Sequence, residues 1–252
     1  MCHTKPFAPA IAALVLSLGL TVLTLNLPAG AATAVFQADE PRPLDAAAIA
    51  AVLGPIRVKH GVAAIAGAIV TSRGLQAAGV VGVRKAGTDA AASLEDRWHL
   101  GSDTKAMTAA LLGRLVERGL LKWETKPAEV FPELAAGFDP GYADATVLHL
   151  LSHRAGLAAN LDWGVSAKAG SLIAQRLDAV KRGLAVAPIQ PPGSRYFYSN
   201  LGFVVAGAMA ERLLGKTWEE AIAEEVFAPL GIEAFGFGGT GTPGRVDQPW
   251  GH

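Results

Sequence analysis

Sulfur and charge are scarce in this 252-residue chain. Its single cysteine, Cys2, lies in the extreme N-terminal segment, so neither a disulfide framework nor a thiol nucleophile is expected in the mature chain. Lysines plus arginines equal aspartates plus glutamates, 22 of each. That zero balance leaves no electrostatic footprint for nucleic acid or for an anionic lipid surface. Only 17% of residues are charged and 51% are hydrophobic, which argues against a disordered or fibrous chain and fits a well-buried globular one. No serine is flanked by glycines at both −2 and +2, so the nucleophile elbow of α/β-hydrolases is absent. No internal repeat is present, and no linker divides the chain into two domains.

The N-terminal segment has its own logic. Lys5 is the sole Lys or Arg before Arg42, and Asp39 is the first acidic residue. Between them runs the apolar, Leu-rich stretch 7–27, followed by small residues at A-x-A spacing up to Ala34. A basic start, an apolar run and small residues make residues 1–34 a secretory signal peptide, with cleavage after Ala31 or Ala34. The run is long for a cleaved signal, and the alternative is retention as a membrane anchor. Residues 35–252 are then the working domain of an exported protein, periplasmic or secreted, touching a membrane only if the anchor is kept.

Along that domain, residues 44–58 are Ala-rich and periodic, a first helix expected to break near Gly54-Pro55. Residues 62–71 and 75–83 are β-branched and apolar, joined by Ser72-Arg73-Gly74, and read as a hairpin. Residues 97–100 read as a strand-like lead-in to a helix over 104–118. Residues 127–134 look irregular; 145–152, 170–182, 200–214 and 218–227 read as helices, and 235–252 is Gly-rich with little pattern. The scattered Trp and Phe residues read as core. A hairpin alone is marginal, so the natural class is α+β, an antiparallel sheet covered by helices.

Chemistry concentrates at two places. In Ser102-Asp-Thr-Lys105 the hydroxyl and the amine stand three residues apart at a helix start, on one face. Ser102 has the residue type of an N-cap, but the position for a capping Glu or Gln holds Lys105, a charge unfavourable beside the helix N-terminus. A serine is a poor nucleophile until a base takes its proton, an amine does so only when neutral, and a helix-start N–H can hold an oxyanion. As a pattern, Ser-x-x-Lys alone is weak. The second place is Tyr198-Ser199-Asn200, after Pro191-Pro192-Gly193 at a loop-to-helix junction. The plain alternatives are a packing tyrosine and an N-cap asparagine. With three Tyr and three Asn in the chain, a chance Tyr-x-Asn is roughly a few-per-cent event.

Together, Gly101-Ser-Asp-Thr-Lys105, Leu150-Leu-Ser-His-Arg-Ala-Gly-Leu157 and Pro191-Pro-Gly-Ser-Arg-Tyr-Phe-Tyr-Ser-Asn200 resemble the serine β-lactamase and penicillin-binding-protein superfamily. The resemblance is nearest to its class C β-lactamase-related group, which includes D-Ala-D-Ala peptidases and esterases, and covers roughly residues 45–252. It implies a β-lactamase/transpeptidase-like fold and a serine hydrolase acting through an acyl-enzyme on a β-lactam, a peptidoglycan D-Ala-D-Ala peptide or an ester. By it, Ser102 is the acylated nucleophile, Lys105 its proton partner, Tyr198 the general base or relay, and Asn200 a substrate contact. Neither a metal nor an organic cofactor is implied. The 151–157 signature is structural, and His153 is expected to be buried or hydrogen-bonded rather than chemical.

The family's third motif, Lys-Thr-Gly or His-x-Gly on a strand beside the serine, is not found. Lys216-Thr217 is followed by Trp218 between helices and does not qualify. Trp250-Gly251-His252 resembles a segment preceding that motif, so the C-terminal strands are expected to be missing and the match to be the front part of a catalytic domain. A catalytically inactive truncated fragment, or a non-catalytic binding protein of the same fold, is the alternative reading. Three further patterns are discounted. Gly236 to Gly241 matches G-x-G-x-x-G, but Pro243 follows and no helix opens. Gly215-Lys216-Thr217 lacks the earlier glycine of a phosphate loop. His149 and His153, four apart, have no intervening Glu and read as core or capping residues rather than metal ligands.

Overall fold

The computed structural model describes residues 45–251. The signal or anchor expected over residues 1–34 lies outside the described residues. Among those described, no helix is long and apolar enough to cross a membrane.

Asp45 opens α1 (Ala46–His60) by accepting the Ala48 N–H at 2.8 Å, and Gly61, at φ +63°, closes it. The expected break at Gly54-Pro55 does not occur: Pro55 lies inside one continuous helix. Both Pro55 and Ala51, whose carbonyl the proline leaves without its N–H donor, face solvent, so water can take that role. α1 lies on the hairpin β1 (Ala64–Thr71) and β2 (Gly74–Gly82). The strands pair antiparallel from Ala64 opposite Gly82 to Thr71 opposite Gly74, with a bulge between Ile69 and Val70. Glycine makes the helix–sheet approach possible. A Cβ on Gly79 would stand 2.8 Å from Ile49 Cβ and 2.9 Å from the Ala46 carbonyl oxygen. This two-stranded antiparallel sheet is the sheet of the described residues.

The helical part comprises α2 (Thr104–Glu117), α3 (Pro127–Val130), α4 (Val147–Leu151), α5 (Trp163–Ser166), α6 (Leu172–Leu184), α7 (Asn200–Leu214) and α8 (Trp218–Ile222). α7 packs against α2, α3, α4, α6 and α8. Its Leu201, Val205 and Met209 join Leu111, Leu112 and Leu115 of α2, Leu150 of α4 and Leu184 of α6 in a core closed to solvent. Truncating one such leucine to alanine would cost about 2–5 kcal/mol. Arg176 of α6 sits between two carboxylates, 2.5 Å from Glu211 of α7 and 2.5 Å from Glu219 of α8. Glu211 also accepts the Trp218 N–H at 2.8 Å, so one buried acid ties α6, α7 and α8 together.

Three further expectations differ from the structure. Residues 97–100 form no strand; Arg97 donates its N–H to Gln248 Oε1 at 2.6 Å rather than to a neighbouring strand. Residues 127–134 are not wholly irregular, because Pro127, with φ preset and no N–H to satisfy, starts α3. The aromatics are not all core: Phe131 and Phe227 are buried, whereas Trp123, Trp163, Phe197, Phe235 and Phe237 are exposed. Phe235 and Phe237 instead pack ring to ring beside Phe227 and Trp218. The Gly-rich end returns to the hairpin side, where the Trp250 N–H donates to the Arg84 carbonyl and Lys85 lies 3.7 Å over the Trp250 ring.

Candidate active site

The nucleophile candidate is set by a short turn. Gly101, at φ +53°, bends the chain into one turn of 3-10 helix over Gly101–Asp103, and α2 follows directly. Ser102 caps nothing; its hydroxyl faces two side chains brought from either side. Lys105, in the first turn of α2, donates to Ser102 Oγ at 3.1 Å. Tyr198 Oη stands 2.8 Å from the same oxygen.

Tyr198 and Asn200 are placed by the loop before α7. Ser199, not Asn200, is the N-cap of α7, accepting the Gly202 N–H at 2.9 Å and donating to the Ala158 carbonyl at 2.6 Å. Asn200 is therefore the first helical residue, and its side chain is released from capping to turn toward α2. Lys105 donates to Asn200 Oδ1 at 2.8 Å, and Asn200 Nδ2 donates to Asn160 Oδ1 at 2.8 Å. One Nδ2 hydrogen of Asn200 is left for another acceptor. Ser102 and Lys105, and the distant Tyr198 and Asn200, thus form one chain of hydrogen bonds.

What holds the loop in place is the segment that the Leu150–Leu157 signature marks. Gly156, at φ +79°, approaches the loop so closely that a Cβ there would lie 2.2 Å from the Gln190 carbonyl oxygen. The Gly156 carbonyl accepts the Ile189 N–H at 2.9 Å, and the Arg154 carbonyl accepts the Gly193 N–H at 2.8 Å. His153 continues the pairing: its carbonyl accepts the Phe197 N–H at 2.7 Å and its Nδ1 accepts the Ser199 N–H at 3.0 Å. The expected hydrogen-bonding role of His153 is what the geometry gives.

The electrostatics centre on Lys105. Its ammonium, then the Ser102 hydroxyl, hold the Tyr198 phenol below its usual range. The amine also stands 4.7 Å over the Tyr198 ring and 5.6 Å over Phe203. Burial, then the Lys105 charge, push His153 below its ordinary value. Ser102 and Tyr198 remain exposed, so a substrate can reach the hydroxyl pair from solvent.

Asn160 and Phe203 were not singled out from the sequence. Asn160 follows the signature after two alanines, a position whose only cue is its residue type. The discounted patterns stay apart from this centre. Lys216 pairs with Glu224 while Thr217 caps α8. His149 Nδ1 lies 3.2 Å from the Asp144 carbonyl, a different neighbourhood from that of His153. No helix follows the glycines at 236–241.

With this geometry in hand, comparison with known proteins is decisive. The sequence family described as beta-lactamase matches residues 42–248. The chain belongs to the beta-lactamase family. Penicillin-binding protein 4 of Amycolatopsis lactamdurans is 31% identical over 153 residues, 60% of this chain and 39% of that protein. The beta-lactamase of Escherichia coli (strain K12) is 28% identical over 133 residues, 53% of this chain and 33% of its own length. The chain thus spans between a third and two fifths of the length of these two relatives. Among solved structures, the octameric penicillin-binding protein homologue from Pyrococcus abyssi superposes with a TM-score of 0.60 at 23% identity. That match covers 73% of this chain and 43% of the other, and it shows that the fold is the β-lactamase/transpeptidase-like one.

Proposed function

We infer that this chain is a serine hydrolase that cleaves an amide or ester through an acyl-enzyme on Ser102. The observation that carries the reading is the hydroxyl of Ser102 held between Tyr198 Oη at 2.8 Å and Lys105 Nζ at 3.1 Å. A phenol held below its usual range by a neighbouring ammonium is a fit base for a serine proton. In this mechanism Ser102 Oγ attacks the substrate carbonyl while its proton passes to Tyr198. The tetrahedral oxyanion meets the Ser102 backbone N–H, one of the orphan donors of a helix start. Tyr198 then returns the proton to the departing nitrogen or oxygen, leaving the acyl-enzyme. Water repeats the steps in reverse order and frees the acid and Ser102. Lys105 keeps the phenol acidic and, through Asn200 Oδ1, fixes the asparagine whose remaining N–H would serve a substrate carbonyl.

The relatives named as penicillin-binding protein and beta-lactamase favour substrates of the β-lactam or D-Ala-D-Ala peptide class, with simple esters as the third candidate. The N-terminal sequence supports an exported protein, with residues 35–252 as its catalytic domain. A second reading, a non-catalytic binding protein of the same fold, draws on one observation. Neither strand among the described residues carries Lys-Thr-Gly or His-x-Gly beside Ser102.

Incubation with a fluorescent penicillin or a fluorophosphonate tests the two. The hydrolase reading expects a covalent adduct on Ser102 that disappears in Ser102→Ala. A clean intact mass, with equal noncovalent penicillin binding by the wild type and Ser102→Ala, would establish the binding protein instead.

A further inference from the structure

We propose that His153 is a positioning residue that locks Tyr198 over the Ser102 hydroxyl, and that it does so only as a neutral imidazole with its hydrogen on Nε2. For catalysis the inference rests on the acyl-enzyme reading above, but its structural part does not.

Three observations converge on this one residue. First, His153 is clamped to both neighbours of Tyr198. Its carbonyl accepts the Phe197 N–H at 2.7 Å, and its Nδ1 accepts the Ser199 N–H at 3.0 Å. The residues on either side of the tyrosine are therefore fixed by a single residue from another segment. Second, the imidazole lies against the Tyr198 ring itself, with centroids 4.5 Å apart and planes 30° from parallel. Tyr196 closes one side of the imidazole at 5.5 Å and Phe203 of α7 another at 5.1 Å. Third, among the described residues His153 is the one non-glycine residue at positive φ, +59°. A conformation of that kind persists where the surroundings over-determine it, and such residues gather at functional sites.

The charge state follows from the hydrogen bond. An N–H pointing at Nδ1 needs a lone pair there, and a protonated imidazole has donors on both nitrogens. Protonation would set Nδ1–H against the Ser199 N–H and bring a second cation toward Lys105. The titratable groups facing the ring are Lys105 from α2 and Tyr196 and Tyr198 from the loop; α7 contributes the uncharged Phe203. Burial and the Lys105 charge keep the ring neutral to lower pH than an ordinary histidine. In acid the device releases Tyr198, and the loss is separate from the protonation of the tyrosine.

The test uses the full chain and two readouts. In NMR titrations of the wild type, the Ser199 amide and the Tyr198 ring signals should move along the same curve as the His153 ring protons. In fluorophosphonate labelling of Ser102, the log rate should fall by one decade per pH unit while Tyr198 alone titrates, and by two once His153 protonates. His153→Asn keeps an acceptor oxygen near the Nδ1 position and tolerates positive φ, so it should label within about tenfold of the wild type. Its profile should keep the single slope. His153→Phe keeps a ring but no acceptor and should label about a hundredfold more slowly. Ser199 and Tyr198 signals that stay flat through the His153 titration overturn the proposal, as does a His153→Phe rate and profile matching the wild type. If those signals track His153 in a wild type that never labels, the positioning stands and the hydrolase reading alone falls.

Discussion

Tyr198→Phe separates what the phenol does chemically from what its ring does structurally. The substitution removes only the oxygen that lies 2.8 Å from Ser102 Oγ. The ring contacts, with His153 at 4.5 Å and under Lys105 at 4.7 Å, survive. Tyr198 is 39% exposed, so losing its hydroxyl leaves no buried partner stranded, and stability should change by no more than about 0.5 kcal/mol. For a domain of this size that is roughly 2 °C or less in Tm. The acylation rate should behave differently. A positioned general base contributes about 10²–10⁴-fold, and Tyr198 is the base in this mechanism. Lys105 and Ser102 hold the phenol below its usual range, so phenolate accumulates as pH rises toward that lowered value. The wild-type rate should climb with pH until the phenol has ionised; Tyr198→Phe should lack that climb. The assay is stopped-time fluorophosphonate labelling from pH 6 to 10, with Tm measured on the same samples. A Tyr198→Phe rate within threefold of the wild type, with the same pH profile, would refute the assignment of the phenol as base.

Gly156→Ala should be among the most damaging single changes. It combines φ +79° with a Cβ 2.2 Å from the Gln190 carbonyl oxygen, and should cost roughly 3 kcal/mol or more, visible as a Tm drop on the order of 10 °C. Glu211→Ala leaves Arg176 with Glu219 as its remaining carboxylate and strands the Trp218 N–H, and a loss of about 1–3 kcal/mol in urea unfolding is expected. The Asp96 carboxyl, paired with Arg84 at 2.6 Å and bonded to Ser93, is held below its usual range. Its stabilisation is complete above the unfolded value near 4 and is lost as pH falls through the lower folded value, so Asp96→Asn should flatten the urea midpoint between pH 5 and 2.

Much of this was legible because local chemistry and tertiary packing agree. The hairpin turn at Ser72-Arg73-Gly74 and the span of α7 are as read, with a glycine at φ +96° in the turn, although the cap of α7 is Ser199 and not the Asn200 that the sequence offered. Pro55 misled because proline's cost in a helix depends on whether the orphaned carbonyl faces water, and that is a tertiary fact. Residues 97–100 look like a strand in residue type but pair with no strand among the described residues, the Arg97 N–H going instead to the Gln248 side chain. At the site, Ser102 and Lys105 declared themselves by a lysine where a helix start disfavours it. Tyr198 and Asn200 came from a rare pattern strengthened by family resemblance. Asn160 and the two-sided clamp of His153 were invisible, because each works through a partner some 40 residues or more away that no periodicity predicts.

If Ser102, Lys105 and Tyr198 act as one proton-transfer unit, as proposed, a double-mutant cycle on Ser102 labelling will show it. Residues acting as a unit are strongly non-additive. Lys105→Met and Tyr198→Phe should each slow labelling by about 10²-fold or more, and the double variant should be no slower than the slower single. Rate losses that simply multiply in the double variant would contradict the proposal.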